Sequence, residues 1–265
     1  MRVTYRKANN KDYWAKRWSD IPPDAPMENE NKYPLKYAKL TVDSHDGQIL
    51  EAGCGAGRVL RYYKENGYNI LGIDFIEIAV QKLKETDPEL AVEVGDITNL
   101  RFEDQSFKYL MAFGLYHNFQ EAFLEKSIQE THRVLEPGGR VCASFRADNI
   151  QTRLTDWLTE YRQQKNGVTE KSTEFHKMNL TRKEFIDLFS RAGFEEETVY
   201  PVENMPILYK FPFFRAKDHK VFNENSARKE GYRLSTLGQI IQNKLMKYFP
   251  NQFCNVYVLI ARKTS

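Results

Sequence analysis

The sequence predicts an α/β protein built on a parallel sheet, and three observations carry that expectation. Short apolar runs alternate with amphipathic stretches between residues 48 and 145. The first run leads into a glycine-rich turn, Gly53-Cys54-Gly55-Ala56-Gly57. Acids stand at the ends of three successive runs: Glu51, Asp74 and Asp96.

The elements follow in order. Residues 34–42 suit a short helix with Pro34 in its first turn. Residues 48–52 read as a buried strand, and 58–65 as a helix stopped by Asn66-Gly67. A strand over 69–73 precedes a helix over 76–85, which ends near Pro88. Strands over 91–94 and 107–113 come next. Phe119, Phe123, Ile128, Val134 and Leu135 mark the stripe of a helix over 120–135, ended by Pro137-Gly138-Gly139. Residues 140–145 form the fifth strand, and such alternation implies right-handed crossovers. Helices over 154–165 and 181–192 follow, the second opened by a Thr181/Glu184 capping box and closed by Gly193. Residues 196–202 and 253–261 read as the last two strands.

Composition removes several classes of function. The 265 residues suit one α/β domain with decorations, and 41% hydrophobic with 28% charged residues is ordinary for a globular protein. A formal charge of +3 demands no nucleic-acid partner. Cys54, Cys142 and Cys254 form no CxxC pair, so neither a zinc knuckle nor a dithiol site is expected, and no metal is expected. Sparse cysteines fit a reducing cytoplasm. The basic N-terminus lacks the apolar core of a signal peptide, and no apolar run reaches membrane-spanning length. The chain reads as soluble and cytoplasmic, a monomer or a homodimer.

The chemistry centres on the glycine turn. Alternate glycines let the backbone turn sharply and let a ligand approach it closely. The following helix start offers backbone N–H groups, which in a dinucleotide site hold a diphosphate. Here Glu51 precedes the glycines, and a carboxylate disfavours phosphate while suiting a cationic amino group. Asp74 ends the second strand at the separation expected for an acid accepting ribose hydroxyls; its plain alternative is a helix cap. Phe75 offers a face for adenine. Asp96 can accept from an adenine amino group with Ile97 over the ring, or can simply make a turn.

These pieces resemble the class I methyltransferases, in particular the type 11 and type 25 methyltransferase domains. The matching segments are ILEAGCGAGR (49–58), LGID (71–74), VGDITNLRFEDQSF (94–107), AFGLYHNF (112–119) and RVLEPGGR (133–140). The resemblance implies a Rossmann-like, seven-stranded, mostly parallel sheet with a reversed last strand, flanking helices and an insertion before that strand. It implies S-adenosylmethionine as cofactor and S-adenosylhomocysteine as product. Glu51, Gly53, Cys54, Gly55 and Gly57 would hold the methionine portion. Asp74 would take the ribose, Phe75 and Ile97 the adenine faces, Asp96 the adenine amino group, and Phe113 with Gly114 the amino-acid end. The strand over 107–113 starts Phe107-Lys108-Tyr109, where many relatives carry an acid.

The acceptor side is less defined. Tyr116 and His117 follow the fourth strand; His117 suits a general base, or packs locally in its loop. The cluster Tyr13/Trp14/Arg17/Trp18 suits an arm over the site, with Trp14 shielding a sulfonium and Arg17 meeting a carboxylate, or a helix merely docked there. The expected organisation is an arm (1–31), a methyltransferase domain (32–203 with 253–265) and a substrate-side insertion (204–252). The insertion holds nine Lys/Arg against three acids, with several aromatics. That balance suits a small polar or anionic acceptor methylated at O or N. Two alternatives stand beside it: an RNA (tRNA) methyltransferase, and a non-catalytic protein that binds S-adenosylmethionine.

Overall fold

The computed structural model describes residues 1–165, 173–202, 204–219 and 233–264. In chain order the elements are β1 (Arg2–Arg6), α1 (Asn10–Asp20), α2 (Leu35–Thr41), β2 (Ile49–Ala52), α3 (Arg58–Glu65), β3 (Ile70–Asp74), α4 (Glu77–Thr86), β4 (Val92–Val94) and β5 (Phe107–Ala112). They continue with α5 (Glu121–Val134), β6 (Leu135–Arg146), α6 (Ile150–Lys165), β7 (Glu174–Asn179), α7 (Arg182–Arg191) and β8 (Phe194–Pro201). The described part closes with α8 (Pro206–Tyr209), α9 (Thr236–Tyr248), α10 (Pro250–Phe253) and β9 (Val256–Lys263).

Seven strands form one sheet in the order β4-β3-β2-β5-β6-β9-β8. The ladders linking β4, β3, β2, β5 and β6 are all parallel. Strand β9 runs the other way. Beside β6, Ala147 N donates to Asn255 O (3.2 Å) at the start of β9, and Lys263 Nζ donates to Leu135 O (2.7 Å) at its end. The expected reversed last strand is therefore present. Strand β2 is buried along its whole length, and Leu110, Met111, Val141, Cys142 and Ala143 are fully enclosed beside it. Central parallel strands covered on both faces need such continuous apolar runs.

Two local expectations change. Pro137-Gly138-Gly139 does not end the fifth helix; α5 stops at Val134 and the triplet lies within β6. Leu135 already pairs with Phe107, and the register then jumps to Tyr109–Arg140. The glycines absorb the extra residues as a bulge, with Gly138 at φ +75°. The second change is a two-stranded antiparallel sheet of β1 and β7, which the polar runs RVTYR and EFHKMN did not suggest. The Thr181/Glu184 capping box forms as expected.

The chain divides into two compact units. The first holds Met1–Phe145, Ser172–Tyr200 and Val258–Ser265; the second holds Arg146–Lys171 and Pro201–Tyr257, each in its described part. This division places α6 in the second unit. There Gln151 Oε1 accepts from Ile207 N (3.2 Å), and Asn149 Nδ2 donates to Asn251 O (2.9 Å) and Cys254 O (2.8 Å). These bonds tie α6 to α8 and α10. Of the basic and aromatic residues expected in the insertion, Lys220, Phe222, Arg228, Lys229 and Tyr232 lie outside the described residues. Among the described residues no helix is long and apolar enough to cross a membrane.

Candidate cofactor site

The site is built where β2 turns into α3 in the first unit. Gly53, Gly55 and Gly57 all adopt left-handed backbone, at φ +71°, +54° and +81°. The loop's own amides are largely spent inside the protein. Gly53 N and Cys54 N both donate to Ile73 O (2.8 and 3.0 Å), Gly57 N donates to Cys54 O (2.9 Å), and Gly55 N donates to Asp74 Oδ2 (2.8 Å). A diphosphate cradle needs such amides pointing at the ligand. This loop instead presents carboxylates.

Two acids meet there. Glu51 is 5% exposed and Asp74 6% exposed. Burial pushes the Glu51 carboxyl up to about 8, against the opposing pull of Arg58. Burial also raises Asp74, while the amides of Ile76 and Gly55 hold it back. Asp74 Oδ1 accepts from Ile76 N at 2.9 Å, so this carboxylate also makes the turn that opens α4. Glu51 Oε2 is a buried acceptor with no hydrogen-bond partner among the described residues. An orphaned carboxylate oxygen is costly unless a donor arrives, and an ammonium group is the donor that suits it best.

The remaining expected residues are placed as follows. Cys54 is buried beside Gly72, and burial drives its thiol well up. Phe75 is half exposed, with the Lys11 ammonium 5.3 Å from its ring centroid. Asp96 Oδ1 accepts from both Thr98 N and Thr98 Oγ1 at 2.8 Å, which is the turn alternative realised. Ile97 is buried beside it. The loop after Asp96 is clamped to α5: Arg133 donates to Phe102 O and Leu100 O, and Leu100 N donates to Glu130 Oε2. Phe113 packs edge-on to Tyr33, 5.8 Å between centroids. Gly114 N donates to Ser144 Oγ (2.7 Å), which also bonds the Tyr33 hydroxyl (3.0 Å).

Tyr116 does not fit its expected acceptor-facing role. It is fully buried, its hydroxyl bonds Thr131 Oγ1 at 2.7 Å, and its ring meets Phe189 edge-on. His117 is 9% exposed and meets Phe145 edge-on at 6.3 Å. In α1, Trp14 stacks on Trp18 and Arg17 lies 5.3 Å from the Trp14 ring. Trp18 is the aromatic on the glycine loop: a Cβ added to Gly55 would stand 2.6 Å from Trp18 Cζ2. The aromatic-basic cluster signalled an arm, but its periodicity did not reveal which ring would face the loop.

Gly57 offers a direct check on this backbone. A Cβ there would lie 2.6 Å from Leu83 Cδ2, itself fully buried, in a left-handed conformation that alanine disfavours. Gly57→Ala is expected to lower stability by about 2 kcal/mol, read as a shifted urea midpoint at unchanged slope.

Comparison with known proteins points to methyltransferases. Residues 49–139 match a family of methyltransferase domains. The chain is 26% identical over 209 residues to the S-adenosyl-L-methionine-dependent Diels-Alderase iccD of Talaromyces variabilis, covering 71% of this chain and 68% of that protein. It is 30% identical over 158 residues to the demethylmenaquinone methyltransferase of Paenarthrobacter aurescens, covering 57% of this chain and 61% of that one. The structure of a SAM-dependent methyltransferase from Methanosarcina mazei superposes with a TM-score of 0.57 at 19% identity, over 88% of this chain and 98% of that one. The fold is Rossmann-like, and residues 49–139 form a methyltransferase domain. The chain is similar to class I S-adenosylmethionine-dependent methyltransferases of the type 11 and type 25 domain group, and that likeness supports S-adenosylmethionine as its cofactor.

Proposed function

We propose that this methyltransferase transfers its methyl group in line to an oxygen or nitrogen of a small, polar, anionic acceptor. Bound S-adenosylmethionine supplies a methyl group already activated on a sulfonium. The protein must then align the acceptor, exclude water and accept a proton. Glu51 Oε2 would hold the ammonium end and Asp74 the ribose hydroxyls. His117 would take the proton, standing just past the carboxyl end of β5, where open α/β sheets bind ligands.

One observation carries the anionic acceptor. In the second unit, Lys210 Nζ donates to Thr159 Oγ1 (2.6 Å), and Arg162 Nη2 approaches Lys210 O at 3.4 Å. Burial lowers the Lys210 ammonium and the nearby Arg162 guanidinium lowers it further, against the opposing pull of Asp156. Two cations beside one carboxylate favour a further anion. The three buried free thiols suit the cytoplasm that this reading assumes.

The test uses methyl-labelled cofactor, a cell extract and the purified enzyme. Label should appear in small molecules retained by an anion exchanger. Lys210→Met is expected to lower that labelling about tenfold at limiting acceptor, with cofactor affinity unchanged. Label in an organic extract, as for a quinone, contradicts the proposal. Label on tRNA that fades steeply with salt supports the RNA alternative instead.

A further inference from the structure

Helix α1 and the segment after it form a strap across the glycine loop, fixed on both sides. At one side, Lys82 Nζ of α4 donates to Trp18 O (3.0 Å), Ser19 O (2.5 Å) and Ile21 O (3.2 Å). These carbonyls sit at the end of α1, where the helix leaves acceptors unused and its dipole favours a cation. At the other side, Asn10 Nδ2 donates to Asn118 O (2.9 Å), next to His117. Beyond α1, Asp24 N donates to Ala56 O (2.8 Å) and Met27 N to Arg58 O (3.0 Å), so the chain continues along the loop. Between these anchors the Trp18 ring rests on Gly55, and Cη2 would lie 2.7 Å from a Cβ there.

Both acids meant for the cofactor are almost wholly shielded from solvent, and the Trp18 ring lies over Gly55 in the loop between them. We propose that Trp18 is a further cofactor-contact residue that closes the glycine loop, and that Lys82 is the positioning residue that latches it. Lys82 has no reach to the cofactor in this role. It acts by holding three carbonyls of the segment that carries the ring.

The experiment measures release of radiolabelled S-adenosylhomocysteine from the protein by rapid filtration, with unlabelled S-adenosylhomocysteine as chase, and records tryptophan fluorescence on binding in parallel. Lys82→Met should speed release about tenfold, the scale of losing charge-assisted hydrogen bonds. Lys82→Arg should restore most of the slow release. Trp18→Ala should speed release similarly and abolish most of the fluorescence change. Lys84→Met, on the exposed side of α4, should leave release unchanged. In hydrogen exchange, bound product should slow the amides of α1 in the wild type and much less in Lys82→Met. Wild-type release from both Lys82→Met and Trp18→Ala, or α1 amides indifferent to the ligand, overturns the proposal.

Discussion

Glu51→Gln should weaken binding of S-adenosylhomocysteine by about 10- to 100-fold while leaving the fold intact. The substitution keeps the shape and removes the charge. Glu51 is enclosed, its Oε2 has no hydrogen-bond donor among the described residues, and burial pushes its carboxyl up to about 8. An ammonium group favours the ionised form, so binding below that pH must expel a proton. Wild-type affinity should therefore rise with pH toward about 8 and level off there. The variant should lose most of that dependence. Calorimetry in two buffers of different ionisation heat reads the released proton directly. The same raised carboxyl has a stability consequence. Between the ordinary carboxylate range and about 8, the folded protein without added cofactor holds a proton that the unfolded chain has released. Its stability should fall as pH rises through that window, and Glu51→Gln should flatten the fall.

His117→Asn should lower kcat by about 100-fold or more, the usual scale of general-base assistance, with cofactor affinity preserved. The imidazole is carried on the short turn Tyr116–Asn118. Asn118 Nδ2 donates to Gly114 O (2.8 Å) and Leu115 O (2.9 Å), which fixes that turn. Gly114 adopts φ +70°, a conformation that favours glycine, and its Cα lies beside the His117 ring, since a Cβ there would stand 3.9 Å from His117 Cε1. Because the neutral imidazole accepts the proton, the wild-type rate should fall as pH drops. That acid limb should vanish in the variant. An unchanged kcat and an unchanged profile assign His117 to packing against Phe145 alone. Tyr116 makes the contrast: its hydroxyl is already committed to Thr131 inside the core.

How much of this was legible depends on the range of the forces involved. The β2–loop–α3 unit was legible because its signals are local: a buried run, three glycines and an Asn-Gly stop. Helix α3 spans the expected residues. The acids at strand ends were legible as candidates, and the chain brings Glu51 and Asp74 to one loop. Their local alternatives are also realised, since Asp74 makes a turn at Ile76 and Asp96 one at Thr98. A carboxylate has enough acceptor sites for a backbone bond and a ligand together. The Pro137-Gly138-Gly139 bulge was missed because strand pairing with Phe107 outweighed a local break signal. Strands β1 and β7 were missed because each is polar and gains its ladder only from a partner 168 to 177 residues away. That Trp18 rather than Trp14 meets Gly55 is a contact between segments distant in sequence, which the periodicity of α1 does not carry.

The most direct measurement is titration calorimetry of the purified protein near pH 8, comparing S-adenosylhomocysteine with a nicotinamide dinucleotide. Saturable one-to-one heat with the first and none with the second is the predicted result, because the loop offers buried carboxylates and keeps its amides for itself. Heat from the dinucleotide alone would mean that the loop holds phosphate after all, and the assignment of Glu51 and Asp74 to a cationic guest would be wrong.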